Sequence, residues 1–372
     1  MSLRIVFLIN HLSGSGGAQK AAISICTQLA RKGYVIDLIA LDGRSYQYLE
    51  LDENIRLRQF WTGPRKADLR PVRAFTKLVQ QAQLHRLLIR GSQPKVIVSF
   101  TTGASMAVLP VVSHYCVPVI ASERNALPRH GRDHQWHDRI LQLYKKATLV
   151  TSNSLSVLRY LEANGIRQTF HTPNPYFLPT AFKQKEECVK PIENLLAVGG
   201  LREQKGFDVL LKAFAHSAFG GKPDVRLTII GEGALRADLE QLAIGLGISE
   251  QIDWLGVVND VTPHYLAADA LILPSRWEGV PNVLLEALGA GVPCIASDIP
   301  GVREYVEPGC HALTFQSENH ADLARQLDAI ALAGKLRSDL SNNGRELAAK
   351  IAENNSIDCW VRAIDVAQQQ FA

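Results

Sequence analysis

A chain of 372 residues that is 47% apolar and 20% charged has material for two hydrophobic cores, which excludes a disordered or collagen-like polypeptide. Its six cysteines (Cys26, Cys116, Cys188, Cys294, Cys310 and Cys359) lie far apart with no C-x-x-C pair, which argues against a disulfide scaffold and for reduced thiols in the cytosol. The net charge of +4 hides a division: residues 1–190 carry 26 basic and 12 acidic side chains, and residues 191–372 carry 14 and 24.

Short runs rich in Val, Ile and Leu alternate with longer amphipathic segments, the pattern of parallel strands buried by crossover helices. The first strand is predicted near Arg4–Asn10. Its apolar run stops at His11, too short for a signal peptide, and no other stretch approaches the ~20 apolar residues of a membrane-spanning helix. Ser13-Gly14-Ser15-Gly16-Gly17-Ala18 follows, small residues that let backbone N–H groups and a helix N-terminus approach a phosphate. A second strand near Val35–Leu41 ends at Asp42, where a dinucleotide enzyme keeps its ribose acid. That G-x-G-x-x-G fingerprint is broken, however, because Gln19 stands where its third glycine belongs; a merely tight turn is the plain alternative.

Arg56 to Lys77 is a basic stretch interleaved with Phe60, Trp61 and Phe75, a mix that suits anionic lipid headgroups or, equally, a solvated helix face. No nucleic-acid motif accompanies the charge, so nucleic acid is not expected as a partner. Further strands are predicted near Val96–Phe100, Pro118–Ser122 and Leu149–Ser152. Glu123, Arg124 and Asn125 end one of them and point toward a ligand cleft. His130, Asp133, His134, His137 and Asp138 have metal-like spacing, but Pro128 and Gly131 would disturb a helix there, and a polar rim is the commoner outcome. Residues 172–192, with Pro173, Pro175, Pro179 and Pro191, read as a linker. Strands then resume at 194–199, 225–231, 252–256, 270–275 and 292–297, and the tail from Asp358 reads as a helix with Trp360 on its apolar side. The expected fold is α/β, two doubly wound Rossmann-like domains facing a cleft: residues 1–175, residues 190–355, and a helix over 356–372 that returns to the first domain.

The second half carries the more specific chemistry. GGLREQKGFDVLLKAF (199–214) follows a strand and offers Arg202 and Lys205 at a helix start, where two cations and the helix dipole suit a diphosphate. In EGVPNVLLE, Glu278 lies in the loop after a strand and Glu286 eight residues on in the next helix, so both can face one cleft. An exposed helix-start pair and two solvated acids are the plain readings of the same residues.

Residues 194–301 resemble family-four glycosyltransferases of the GT-B superfamily, whose signature is two glutamates separated by seven residues in EGxPxxLLEA. ASERNALP (121–128) is similar to a loop of bacterial members that build lipid-linked or polysaccharide repeats. The resemblance implies a retaining transferase, with Glu278 on the donor sugar, Glu286 on the ribose, and Lys205 on the diphosphate. It implies that Gly279, Val280, Pro281 and Asn282 shape the pocket through their backbone, that Gly231 and Val257 flank the base, and that Gly17 meets the phosphates. The family writes arginine where Gly200 stands, and Arg202 is the candidate substitute. It also has a histidine on the acceptor or sugar side that is absent here, leaving Glu123, Arg124 and Asn125 as candidates. No D-x-D triplet occurs, so neither a metal nor any other cofactor is expected, and the nucleotide sugar is a co-substrate. The implied acceptor is a glycan or lipid-linked saccharide met at the inner face of the plasma membrane, with Arg56–Lys77 as the anionic-surface contact. A nucleotide-sugar epimerase and a non-catalytic nucleotide-binding protein are the alternatives.

Overall fold

Buried apolar runs, flanked by helices on both faces, set the architecture of the computed structural model, which describes residues 3–12, 17–41, 51–59, 82–86, 94–111, 116–127, 134–176, 190–353 and 356–371. The chain divides into two compact units, Met1–Pro175 with Asn355–Ala372, and Tyr176–Asn354.

In the first unit, strands β1 (Arg4–Ile9), β2 (Val35–Ala40), β3 (Ile55–Gln59), β4 (Val96–Phe100), β5 (Val119–Glu123), β6 (Leu149–Ser152) and β7 (Thr169–His171) form a parallel sheet in the order β3-β2-β1-β4-β5-β6-β7. In the second, β8 (Asn194–Val198), β9 (Arg226–Ile230), β10 (Ile252–Gly256), β11 (Ala270–Leu273), β12 (Cys294–Ser297) and β13 (Leu313–Phe315) repeat the arrangement as β10-β9-β8-β11-β12-β13. Both are doubly wound, with the order reversing between β1 and β4 and between β8 and β11, so each unit has a switch point where loops diverge and a ligand can enter. Period-2 alternation explains the strands: Ile5, Phe7 and Ile9 enter one core and Val6 and Leu8 the other, all essentially without solvent exposure.

The strands β3, β7 and β13 were not expected. β3 is an edge strand, with Ile55 buried and Leu57 half-buried while Arg56 and Arg58 are exposed. The start of the basic stretch is therefore strand, not helix, because the alternation of IRLRQ pairs one apolar face with β2. Residues 60–77 lie outside the described residues, as do Ser13–Gly16, Asp42, His130, Asp133 and residues 177–189 of the linker.

The last helix, Ser356–Phe371, belongs to the first unit. Its Trp360 is fully buried, with ring centroids 5.8 Å from Phe7 and 6.0 Å from Phe100. Trp360→Ala should therefore lower unfolding stability by about 3–5 kcal/mol, as a cavity in an aromatic cluster does. Urea titration checks it, and an unchanged midpoint would mean that the helix contributes nothing to this core.

Candidate active site

Loops following β8 and β11 meet at the second unit's switch point. After β8 the chain runs through Gly199–Leu201 into a single 3-10 turn, Glu203–Lys205, and then Gly206 at φ +62° opens the helix Phe207–His216. A Cβ at Gly206 would lie 2.1 Å from the Pro274 carbonyl oxygen of the neighbouring loop, so glycine is required both for the angle and for the approach. Gly231 is similarly constrained: at φ +141° its Cβ would stand 1.9 Å from the Gly199 carbonyl oxygen.

This backbone packing brings Lys205 onto Glu278. Lys205 Nζ donates to Glu278 Oε1 at 2.5 Å, Ser275 Oγ donates to the same oxygen at 2.7 Å, and Gln204 Nε2 reaches Oε2 at 3.4 Å. The acid's side chain is 8% exposed and the lysine's 20%, so the ion pair is largely screened from water. Arg276 braces both loops. Its Nη1 donates to the Glu203 carbonyl (2.6 Å), its backbone N–H to the Gln204 carbonyl (2.8 Å), and its guanidinium spans Asp208 and Glu318. Burial alone would raise the Asp208 carboxyl, but the Arg276 hydrogen bonds and charge outweigh it and hold the group below its ordinary value, while raising that of Arg276.

Glu286 occupies a separate hydrogen-bond set within the helix Asn282–Gly289. Tyr265 Oη donates to Glu286 Oε2 at 2.7 Å, and Tyr176 Oη donates to the carbonyl of Leu285 at 2.6 Å. Both phenols are pushed above their ordinary range, first by burial and then by the Glu286 charge. Gly279 and Pro281 are buried, Val280 and Asn282 half-buried, and a Cβ at Gly301 would lie 2.4 Å from the Glu278 carbonyl oxygen. Val257 is 60% exposed at the end of β10. Arg202 is exposed, and its side chain folds back over Gly200, where an added Cβ would find Arg202 Nε at 3.6 Å.

The first unit treats its candidates differently. Gly17 is exposed at the start of the helix Gly17–Arg31. Glu123 is fully buried and its oxygens are taken: Thr102 Oγ1 and Tyr144 Oη donate to Oε2, both at 2.7 Å, and the amides of Arg124 and Asn125 donate to Oε1. Arg124 is 6% exposed, stacked over Phe100 and Trp360, and donates to Ser122 Oγ and to the Thr172 carbonyl and hydroxyl. The expectation that these two side chains point into a cleft is thus corrected: they lock the loop internally, and only Asn125 is exposed. Sequence reasoning also missed Gln204, Ser275, Arg276 and Tyr265. The first three flank Lys205 and Glu278 in the chain, a usable signal, whereas Tyr265 meets Glu286 only through the fold.

Two parallel sheets of matching strand order define a protein of two Rossmann-like units with a basic–acidic pair at one switch point. A family model for a glycosyl transferase 4-like domain matches residues 16–176, and one for glycosyl transferases group 1 matches residues 180–347. An uncharacterised glycosyltransferase of Haemophilus influenzae is 26% identical over 96% of this chain and 98% of its own length. A Campylobacter jejuni alpha-1,4-N-acetyl-D-galactosaminyltransferase, named for a diNAcBac-PP-undecaprenol-linked GalNAc acceptor, is 25% identical over 97% and 98%. Among solved structures, sucrose-phosphate synthase from Thermosynechococcus elongatus aligns with a TM-score of 0.81 at 18% identity over 97% of both chains. Anabaena HepE in complex with UDP and glucose aligns with a TM-score of 0.77 at 17% identity over 97% and 98%. The chain is a glycosyltransferase of the GT-B fold, with a glycosyl transferase 4-like domain followed by a group 1 domain.

Because the Asp208 pKa is depressed in the folded state, its contribution to stability is present above the unfolded value of about 4 and disappears as pH falls through the folded one. Asp208→Asn should therefore be less stable than wild type at pH 7, with the gap closing in acid. Urea midpoints across that range test it, and a gap constant with pH would remove the Asp208–Arg276 pair as its source.

Proposed function

We propose that the enzyme is a retaining hexosyltransferase that takes a sugar from a UDP- or GDP-sugar and places it on a lipid-linked or polysaccharide acceptor in cell-surface glycan synthesis. The observation that carries this reading is the contact between Lys205 and Glu278 at the switch point of β8 and β11. One loop presents a cation to a diphosphate, and the adjacent loop presents an acid to sugar hydroxyls.

As the glycosidic bond breaks, negative charge grows on the β-phosphate. Lys205 and the N-terminus of the helix Phe207–His216 meet that charge, and Arg202, lying over Gly200, supplies a second cation. Cations and a helix end thus do the work for which other transferases use a metal, and no cofactor is required. Glu286, oriented by Tyr265, accepts from the ribose hydroxyls, while Gly231 and Val257 border the base. Gly279 to Asn282 shape the sugar pocket, and Gly17 contributes backbone to the phosphates. The acceptor hydroxyl attacks on the face that the diphosphate leaves and passes its proton to the departing phosphate, which explains why no enzyme nucleophile is needed. The undecaprenol-linked acceptor in the Campylobacter relative's name and the UDP and glucose in the HepE structure support these substrate classes.

No helix among the described residues is long and apolar enough to cross a membrane. The enzyme is proposed to act peripherally on the inner face of the plasma membrane, where exposed Arg56 and Arg58 on β3 begin the lipid contact. Raising the salt concentration should release it from anionic vesicles; co-sedimentation unaffected by salt would refute an electrostatic contact.

A panel of UDP- and GDP-sugars should raise the melting temperature, and NAD should not. With donor and acceptor supplied, Lys205→Ala should slow transfer by about 10²-fold, on the scale of other lost transition-state contacts. Glu286→Ala should chiefly raise the donor KM. Wild-type kinetics in both variants would dismiss the site assignment, and donor turnover without acceptor would favour an epimerase.

A further inference from the structure

The ion pair that carries the functional reading also obstructs it. Lys205 cannot bind a diphosphate fully while its ammonium is held 2.5 Å from Glu278 Oε1, and Glu278 cannot accept from a sugar hydroxyl along the direction that the lysine occupies. The two partners are not equally free to move. Glu278 is 9% exposed, and if the lysine leaves it retains Ser275 Oγ at 2.7 Å and Gln204 Nε2 at 3.4 Å as neutral donors. Arg276 pins the backbone of the turn Glu203–Lys205 through the carbonyls of Glu203 and Gln204, so the turn stays in place when the lysine side chain swings. Lys205 is the more exposed partner and stands on a flexible four-carbon stem. The acid is therefore fixed and the cation exchangeable.

We infer that the Lys205–Glu278 pair is a latch that selects sugar nucleotides over free nucleoside diphosphates and helps to expel the diphosphate product. The inference rests on the donor assignment made above. A diphosphate that draws Lys205 away leaves Glu278 without its charged partner and returns nothing to it. A sugar nucleotide draws Lys205 away in the same manner but brings a hydroxyl that donates to the vacated carboxylate oxygen, so the acid is satisfied again. Once the sugar has been transferred, the remaining nucleoside diphosphate no longer offers that hydroxyl. Glu278 then competes for Lys205, and the grip on the product loosens.

The test is calorimetric titration of UDP, GDP, UDP-glucose and GDP-mannose into wild type, Glu278→Gln, Glu278→Asp and Lys205→Ala. Glu278→Gln frees the lysine, and in the base series that binds it should hold the nucleoside diphosphate about tenfold tighter than wild type, as expected for releasing a partly buried charge pair. The sugar nucleotide should not gain likewise, so the preference for it collapses. Glu278→Asp, too short to keep the contact, should show a smaller gain in the same direction and serves if the glutamine variant does not fold. Lys205→Ala should weaken both ligands. Diphosphate affinity unchanged or weakened in both Glu278 variants, with sugar nucleotides still binding wild type, overturns the latch and leaves the transferase reading standing. If neither base series binds wild type, the donor assignment has failed and the latch falls with it.

Discussion

A carboxylate removed from water beside an ammonium group, at the ends of two adjacent buried strands, is the constraint around which the second unit is arranged. Desolvating both charges costs several kcal/mol, so the pair persists only where geometry and neighbouring donors make up the loss. Those conditions reach outward. Glu278 needs Ser275 and Gln204; the turn bearing Gln204 and Lys205 needs Arg276; the two loops approach closely only because Gly206 has no side chain; and Gly301, beyond β12, lets that segment pack against the Glu278 carbonyl. Behind them β8 and β11 pair in register, with Leu195, Leu196, Ala270 and Leu271 almost wholly buried, which fixes where each loop begins.

The two units show how one residue type acquires opposite roles. Glu123 is the last residue of β5 and Glu278 lies in the loop after β11, and both are buried. Around Glu123 two hydroxyls and two backbone amides already donate, and the neighbouring Arg124 is spent on Thr172, Ser122 and the aromatic faces of Phe100 and Trp360. Such a saturated network rigidifies a loop and leaves little acceptor capacity for a ligand. Around Glu278 the strongest donor is a lysine side chain that retains some exposure, so one partner can be exchanged. Exchangeability of a donor, more than burial or charge, separates the acid proposed to meet the sugar from the structural one.

Much of this was legible in the amino-acid order. Strands buried on both faces write unbroken apolar runs, which is why β1, β4, β8 and β12 could be placed from sequence. The short edge strand β3 alternates arginine with aliphatic residues and looks like a basic helix face until its partner β2 is known. β7 and β13, three residues each, are too short to leave a periodic signal. Motif spacing singled out Lys205, Glu278 and Glu286, and the fold brings the first two into contact. Spacing could not locate Tyr265, which lies 21 residues from Glu286 and meets it only because two helices pack, nor could it tell that Glu123 would be consumed by Thr102 and Tyr144.

Charge distribution bears on how the proposed anionic donor would reach this site at all. Residues 176–354 hold 16 basic and 24 acidic side chains, yet this unit holds the cations proposed for the diphosphate. Beyond a Debye length of about 8 Å at physiological salt the excess is screened, so on the proposed reading attraction would be generated locally by Arg202, Lys205 and the amides that begin the helix Phe207–His216. In the resting pair Lys205 is neutralised by Glu278, which reduces that local attraction. On the proposed reading, a diphosphate arriving alone would meet a weakly attractive mouth in an acidic unit, whereas a donor that also satisfies the acid would recover the full charge of the lysine. Selection by the whole substrate, and not by its phosphates, is what this arrangement of charge favours.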